Sequence, residues 1–245
     1  MASTLLGALF RFAAARYEHA GRPLILDNPV KRLASIRAWC DLPPRQGHIP
    51  PGKLGAWWQA TETVDPTPRD LLRLLLLTGL RKSEGAGLRW EHIDMTGRTL
   101  HVPETKNRRP HTLPLSGALV ELLAARLKDA ERTGNPYVFP SSTGRGSFSA
   151  VLPACRRVAT AAGVSGGMVH DLRRTFITLA EGLDVPTYAL KALLNHHAKG
   201  DVTQGYLQIG IERLRSPMEA IARFILKAAG AMETAPVVEI PARRA

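Results

Sequence analysis

Side chains able to act on an anion gather in four short segments of the 245-residue chain. The first, TGLRKSE (78–84), places Arg81 just after a glycine that can end a helix, with Glu84 three residues on. The second, ETKNRRPH (104–111), puts Lys106 in a polar, cationic turn. In the third, HDLRRTF (170–176), His170 and Arg173 are three residues apart and so share one helix face. The fourth, LLNHHAKGDVTQGYLQ (193–208), carries His196, His197 and, ten residues after His196, Tyr206. Guanidinium forks hold oxyanions. Imidazole accepts a proton near neutral pH. A phenol attacks an electrophile once it has lost its proton. Taken singly, each segment also reads as ordinary structure: an arginine at a helix start, a lysine at a turn tip, a half-buried tyrosine.

Other chemistries lack their motifs. There is no phosphate-cradling G-x-x-x-x-G-K-[ST], no G-x-G-x-x-G, no H-E-x-x-H and no C-x-x-C. Two cysteines, Cys40 and Cys155, are too few for a disulfide scaffold or a four-thiolate zinc site, which suits a reducing cytoplasm or nucleoid. The net charge is +12, from 33 basic and 21 acidic side chains. The excess is distributed: 7 basic against 3 acidic over residues 1–50, 12 against 9 over 51–130, 8 against 5 over 131–210, and 6 against 4 over 211–245. A folded body with a positive field predicts a polyanionic partner. The most apolar run, 71–80, contains Arg73 and is half the length of a membrane span, so no membrane is expected.

The elements that must position these residues follow from periodicity. Residues 3–20 read as a helix with Leu5, Leu6, Leu9, Phe12, Ala13 and Tyr17 on one face. The stretch 41–51, with four prolines, reads as a linker. Thr67 is expected to cap a buried leucine helix, with Pro68 at its first position and Gly79 at its end. Residues 98–102 and 111–115 read as a hairpin flanking the Lys106 turn. Ser116 is expected to cap the next helix. Further helices are predicted over 148–162, 169–182, 186–195, 202–208 and 211–229. The fold class is mostly α with one small antiparallel β-sheet (α+β). The predicted divisions are a helical segment at 1–40, the linker at 41–51, a main domain at 52–230 and a tail at 231–245.

In order and spacing, TGLR-x-x-E, TKN in a hairpin, H-x-L-R-R-T, and L-x-H with a tyrosine ten residues on resemble the tyrosine recombinases of the phage integrase family. The match covers roughly residues 50–225. The resemblance implies a tyrosine-recombinase-like catalytic domain that cuts and rejoins DNA through a 3′-phosphotyrosine link. It assigns Arg81, Lys106, His170, Arg173 and His196 to phosphate activation, Tyr206 to the nucleophile and Glu84 to support of Arg81. His197 is the alternative to His196. It implies no metal, nucleotide or other cofactor, double-stranded DNA as partner, and a homo-oligomer assembled on DNA as a tetrameric synapse in the bacterial or phage nucleoid. Residues 1–40 are similar to the end of the family's helical core-binding domain. A type IB topoisomerase-like enzyme and a catalytically idle DNA-binding fragment are the rival readings.

Overall fold

The computed structural model describes residues 2–36, 47–105, 109–196 and 210–232. Lys106, His197, Tyr206, the helix predicted at 202–208 and the tail beyond 232 lie outside the described residues. The chain divides into two compact units, Met1–Arg45 and Gln46–Ala245.

The first unit holds α1 (Ala2–Arg16), β1 (Glu18–His19), β2 (Arg22–Pro23) and α2 (Pro29–Ser35). The single helix expected over 3–20 is cut at Arg16. Ala20 and Gly21 take φ of 49° and 70°, the two positive values that a tight two-residue hairpin turn needs. Asn28 caps α2 by accepting the Val30 N–H at 3.0 Å, and its amide donates to the Gly7 carbonyl of α1 at 3.0 Å. The apolar face of α1 is not packed within this unit: Leu5, Leu9 and Phe12 are exposed, because one short helix and a hairpin cannot cover it.

The second unit is built around α4 (Pro66–Thr78). Leu71, Leu72 and Leu74 through Leu77 are fully buried around most of its circumference, leaving Arg69 and Arg73 half-buried on one side. The helix starts two residues earlier than its proline pattern suggested. Asp65 holds the N-cap position and Pro66 the first turn, where missing N–H groups cost nothing, so Thr67 is inside the helix rather than its cap. Gly79 ends α4 in the left-handed region (φ 66°), its N–H bonded to the Leu75 carbonyl at 3.0 Å. The short α5 (Lys82–Ala86) follows at once.

A three-stranded antiparallel sheet, in the order β3 (Ile93–Asp94), β4 (Thr99–Val102), β5 (His111–Pro114), pairs Val102 with His111 at the mouth of the 103–110 turn. Among the described residues the β structure is thus two small antiparallel sheets. β1–β2 and β3 are two-residue strands, too short to show alternation in sequence. Next come α6 (Gly117–Thr133), α7 (Val151–Ala161), α8 (Val169–Gly182), α9 (Thr187–Leu193) and α10 (Glu212–Ala228). Ser116 occupies the N-cap position of α6, but its hydroxyl makes no capping bond. The Gly117 N–H is taken instead by Glu219 of α10 at 2.9 Å, a long-range cap invisible in local sequence. Leu214, Met218, Ile221, Ala222 and Ile225 seat α10 on the core. Among the described residues, no helix is long and apolar enough to cross a membrane.

Candidate active site

Three helix ends meet around the turn at Gly79. On α8, Arg173 is 3% exposed. One terminal nitrogen donates to the Gly79 carbonyl at 2.6 Å and the other to the Leu194 carbonyl at 2.8 Å. One side chain therefore ties the C-terminus of α4 to that of α9. Phe176, one turn further along α8, lies so close to Gly79 that a Cβ there would come within 2.7 Å of its ring. Only glycine tolerates both that contact and the positive φ.

Arg81 follows Gly79 by two residues and holds the N-cap position of α5. Glu84, buried in the first turn, accepts the Arg81 backbone N–H with one oxygen and the Arg81 guanidinium with the other, both at 2.8 Å. The backbone bond is the acidic half of a capping box, so the helix start and the arginine rotamer are set by the same carboxylate. The Arg81 side chain stays 21% exposed, with its remaining donors available.

The two guanidinium groups feel each other. Burial and then the Arg81 charge lower the pKa of Arg173 to about 10, with Glu84 acting in the opposite direction. Arg173 remains charged at neutral pH, yet among the described residues no carboxylate pairs with it. A buried cation bonded only to carbonyl groups is costly. It creates a place where an anion would be strongly favoured. Arg173 keeps three of its five N–H donors beyond the two carbonyl bonds.

Two imidazoles face the same charges. His170, in the first turn of α8, is exposed; desolvation, Arg174, Arg173 and Arg81 lower its pKa below 6.5 against the opposing Asp171. His196 is lowered by desolvation, Arg173 and Arg81. Both rings are neutral at pH 7 and can accept a proton. Arg174 also pairs with Asp171 at 3.1 Å. The position of His196 follows from how α9 ends. Its N–H bonds the Lys191 carbonyl at 3.0 Å while the Asn195 N–H bonds the Ala192 carbonyl at 3.1 Å, a Schellman motif with Asn195 (φ 49°) at the left-handed position. Arg81, Glu84, His170, Arg173 and His196 therefore belong to one neighbourhood.

A third imidazole was not singled out in the sequence. His111, at the start of β5, is buried, and its Nε2 meets the Leu193 carbonyl at 3.0 Å. A carbonyl only accepts, so Nε2 carries the proton. Burial lowers its pKa first; the Leu193 bond and Glu84 oppose, and Arg173 and Arg81 add to the lowering. Its place in the ETKNRRPH segment was the available signal; its partner lies 82 residues away.

The family model described as "Phage integrase family" matches residues 58–212, a span that includes every one of these side chains. The chain belongs to the phage integrase family. Prophage integrase IntF of Escherichia coli strain K12 is 29% identical over 181 residues, covering 73% of this chain and 39% of the relative. Prophage integrase IntZ of the same strain is 34% identical over 186 residues, covering 71% and 41%. Tyrosine recombinase XerC 2 of Ralstonia nicotianae is 31% identical over 238 residues, covering 82% and 66%. The chain thus spans about two-fifths of the length of IntF and of IntZ. Among solved structures, a lambda integrase dimer bound to a COC′ core site has a TM-score of 0.61 at 24% identity, covering 82% of this chain and 57% of that one. The integrase from mycobacterium phage Brujita has a TM-score of 0.56 at 22% identity, covering 93% and 75%. These neighbours share the fold.

Proposed function

We propose that this integrase-family chain cuts and rejoins DNA by phosphoryl transfer, with a tyrosine as nucleophile. The observation that carries the reading is Arg173: a guanidinium nearly removed from solvent, unmatched by any carboxylate among the described residues and facing Arg81. That arrangement suits a phosphodiester, whose non-bridging oxygens gain charge in the transition state and are stabilised by preorganised donors.

In the proposed step the Tyr206 oxygen attacks phosphorus and the bond to the 5′ oxygen breaks. His170, neutral at pH 7, takes the phenol proton directly or through water. Lys106 gives a proton to the departing 5′ oxygen. Arg81, anchored by Glu84, and Arg173 hold the non-bridging oxygens, while His196 donates a hydrogen bond to the phosphate. His196 is preferred over His197 because the Schellman turn fixes its backbone and because the Arg81 and Arg173 charges reach it. The product is a 3′-phosphotyrosine link that a 5′ hydroxyl of another strand reverses, so no nucleotide is consumed. The catalytic domain spans residues 52–230, works on double-stranded DNA in the cytoplasm, and assembles there as a homo-oligomer.

Nicked suicide duplexes with randomised arms test this reading. The chain is expected to become covalently joined to a subset of duplexes that sequencing identifies, through a 3′ phosphate on the peptide containing Tyr206, and Tyr206→Phe is expected to abolish capture. Absence of capture at low salt, or a DNA remnant on another residue, refutes it.

A further inference from the structure

Asn195 makes bonds that its place in the Schellman turn does not require. Glycine would satisfy φ 49° equally well. The Asn195 side chain is instead buried, and its amide donates to the Thr105 hydroxyl at 3.3 Å and reaches the Arg109 carbonyl at 3.5 Å. The Thr105 hydroxyl in turn donates to that Arg109 carbonyl at 2.8 Å. The result is a relay from amide to hydroxyl to carbonyl, in which each bond polarises the next. Thr105 and Arg109 bracket residues 106–108. On the other side of the same hairpin, His111 holds the Leu193 carbonyl. The hairpin is therefore fastened to the end of α9 at two places, and the residue after Asn195 is His196.

We propose that Asn195 is a positioning residue for the Lys106 turn: through Thr105 and Arg109, its amide sets the ends of that turn relative to His196 and the Arg81–Arg173 pair. This rests on the reading of Lys106 as the proton donor to the leaving 5′ oxygen. The clasp fixes two parts of the site with one side chain. A shift of Asn195 would move His196 and the ends of the Lys106 turn together.

Sulfur at the leaving position separates positioning of Lys106 from general structural damage. With oxygen, the P–O5′ bond breaks and the oxygen must take a proton. With a 5′-bridging sulfur, the P–S bond breaks and a thiolate, the anion of an acid with pKa of about 8.5, leaves without one. On a captured duplex, Asn195→Gly is expected to slow cleavage about 10²-fold with oxygen, the scale of a 1 Å misplacement, and by less than about threefold with sulfur. Asn195→Asp, which keeps the shape but cannot donate, should behave like Asn195→Gly. Thr105→Val should do the same, and combining it with Asn195→Gly should add nothing further, as for members of one network. Equal slowing on both duplexes, or none on either, overturns the proposal.

Lys106→Ala is the control. If it slows both duplexes alike, the proton-donor reading fails. If sulfur rescues it but does not rescue Asn195→Gly, only the clasp fails. Hydrogen exchange tests the clasp without DNA. Asn195→Gly should speed exchange in the peptides covering 100–105 and 109–112 about tenfold or more and leave 71–78 unchanged, because loss of the relay opens the hairpin end locally. Unchanged exchange at the hairpin overturns the proposal.

Discussion

Replacing Arg173 with lysine keeps the charge and removes the fork, so it isolates what the geometry contributes. The guanidinium reaches two carbonyls on different elements, at 2.6 and 2.8 Å. An ammonium on a single stem cannot hold both. At least one bond from a charged donor is lost, at about 1.5–3 kcal/mol, and a buried carbonyl is orphaned. For a unit of this size that corresponds to a melting temperature lower by roughly 4–10 °C. The wild-type charge itself is costly. Lowering the Arg173 pKa to about 10, well below the usual guanidinium range, weighs against folding at about 1.36 kcal/mol per pK unit. Because this folded-state pKa is depressed, the cost is fully present below pH 10 and is relieved only as pH rises above it. A bound oxyanion offsets part of that cost, so sulfate or phosphate should raise the wild-type melting temperature more than that of Arg173→Lys. Thermal unfolding with and without sulfate provides the assay, and Arg174→Lys is the neighbouring control. The Arg174 side chain is 34% exposed and pairs with Asp171, an interaction lysine can keep, so its effect should stay within about 1 kcal/mol. Equal destabilisation by the two substitutions, or equal sulfate response of wild type and Arg173→Lys, would refute this reasoning.

Two further outcomes follow from the same geometry. Gly79→Ala should destabilise the protein by about 2–5 kcal/mol, because a left-handed alanine costs roughly 1–2 kcal/mol and overpacking against Phe176 about 1–3 kcal/mol; chemical denaturation measures it, and a loss under about 1 kcal/mol would contradict the packing. His111, His170 and His196 all have pKa values lowered below 6.5, so the folded state resists protonation relative to the unfolded one. Their contribution to stability is intact above pH 6.5 and is lost as pH falls below it. Covalent capture should plateau from neutral pH upward through the slightly basic range and decline on acidification as His170 becomes protonated; a rate that rises on acidification would contradict the assignment of His170 as proton acceptor.

Much of the site was readable because its parts are local. A glycine after a leucine run stops a helix whatever packs around it, and that placed Arg81. Glu84 lies within reach of Arg81 because they share one turn. Arg174, off the face that His170 and Arg173 share, pairs with Asp171 within its own turn. The parts that were not readable depend on partners far along the chain. The 94-residue gap between Arg173 and Gly79 has no local signature. The same holds for the bonds from Asn195 to Thr105 and from Glu219 to Gly117. Thr67 and Ser116 are good capping residues by type. At Thr67 the proline one residue earlier opens the helix, a local override, whereas at Ser116 a carboxylate from α10 takes the N–H, a tertiary one. The α1 stripe misled for a related reason: periodicity reports a helix face, not whether the unit contains enough chain to cover it.

The account rests on Arg81 and Arg173 neutralising one phosphate, and a neutral phosphate tests that most directly. Cleavage of a captured duplex should be compared with cleavage of the same duplex carrying a methylphosphonate at the scissile position, for wild type and Arg81→Ala, which removes one of the two charges. On the natural phosphate the variant should be about 10²–10³-fold slower, the usual cost of one preorganised donor. On the methylphosphonate, which has lost one charged oxygen, that gap should shrink to about tenfold or less. An undiminished gap on the neutral substrate would contradict the claim that these arginines act on the charge of the phosphate.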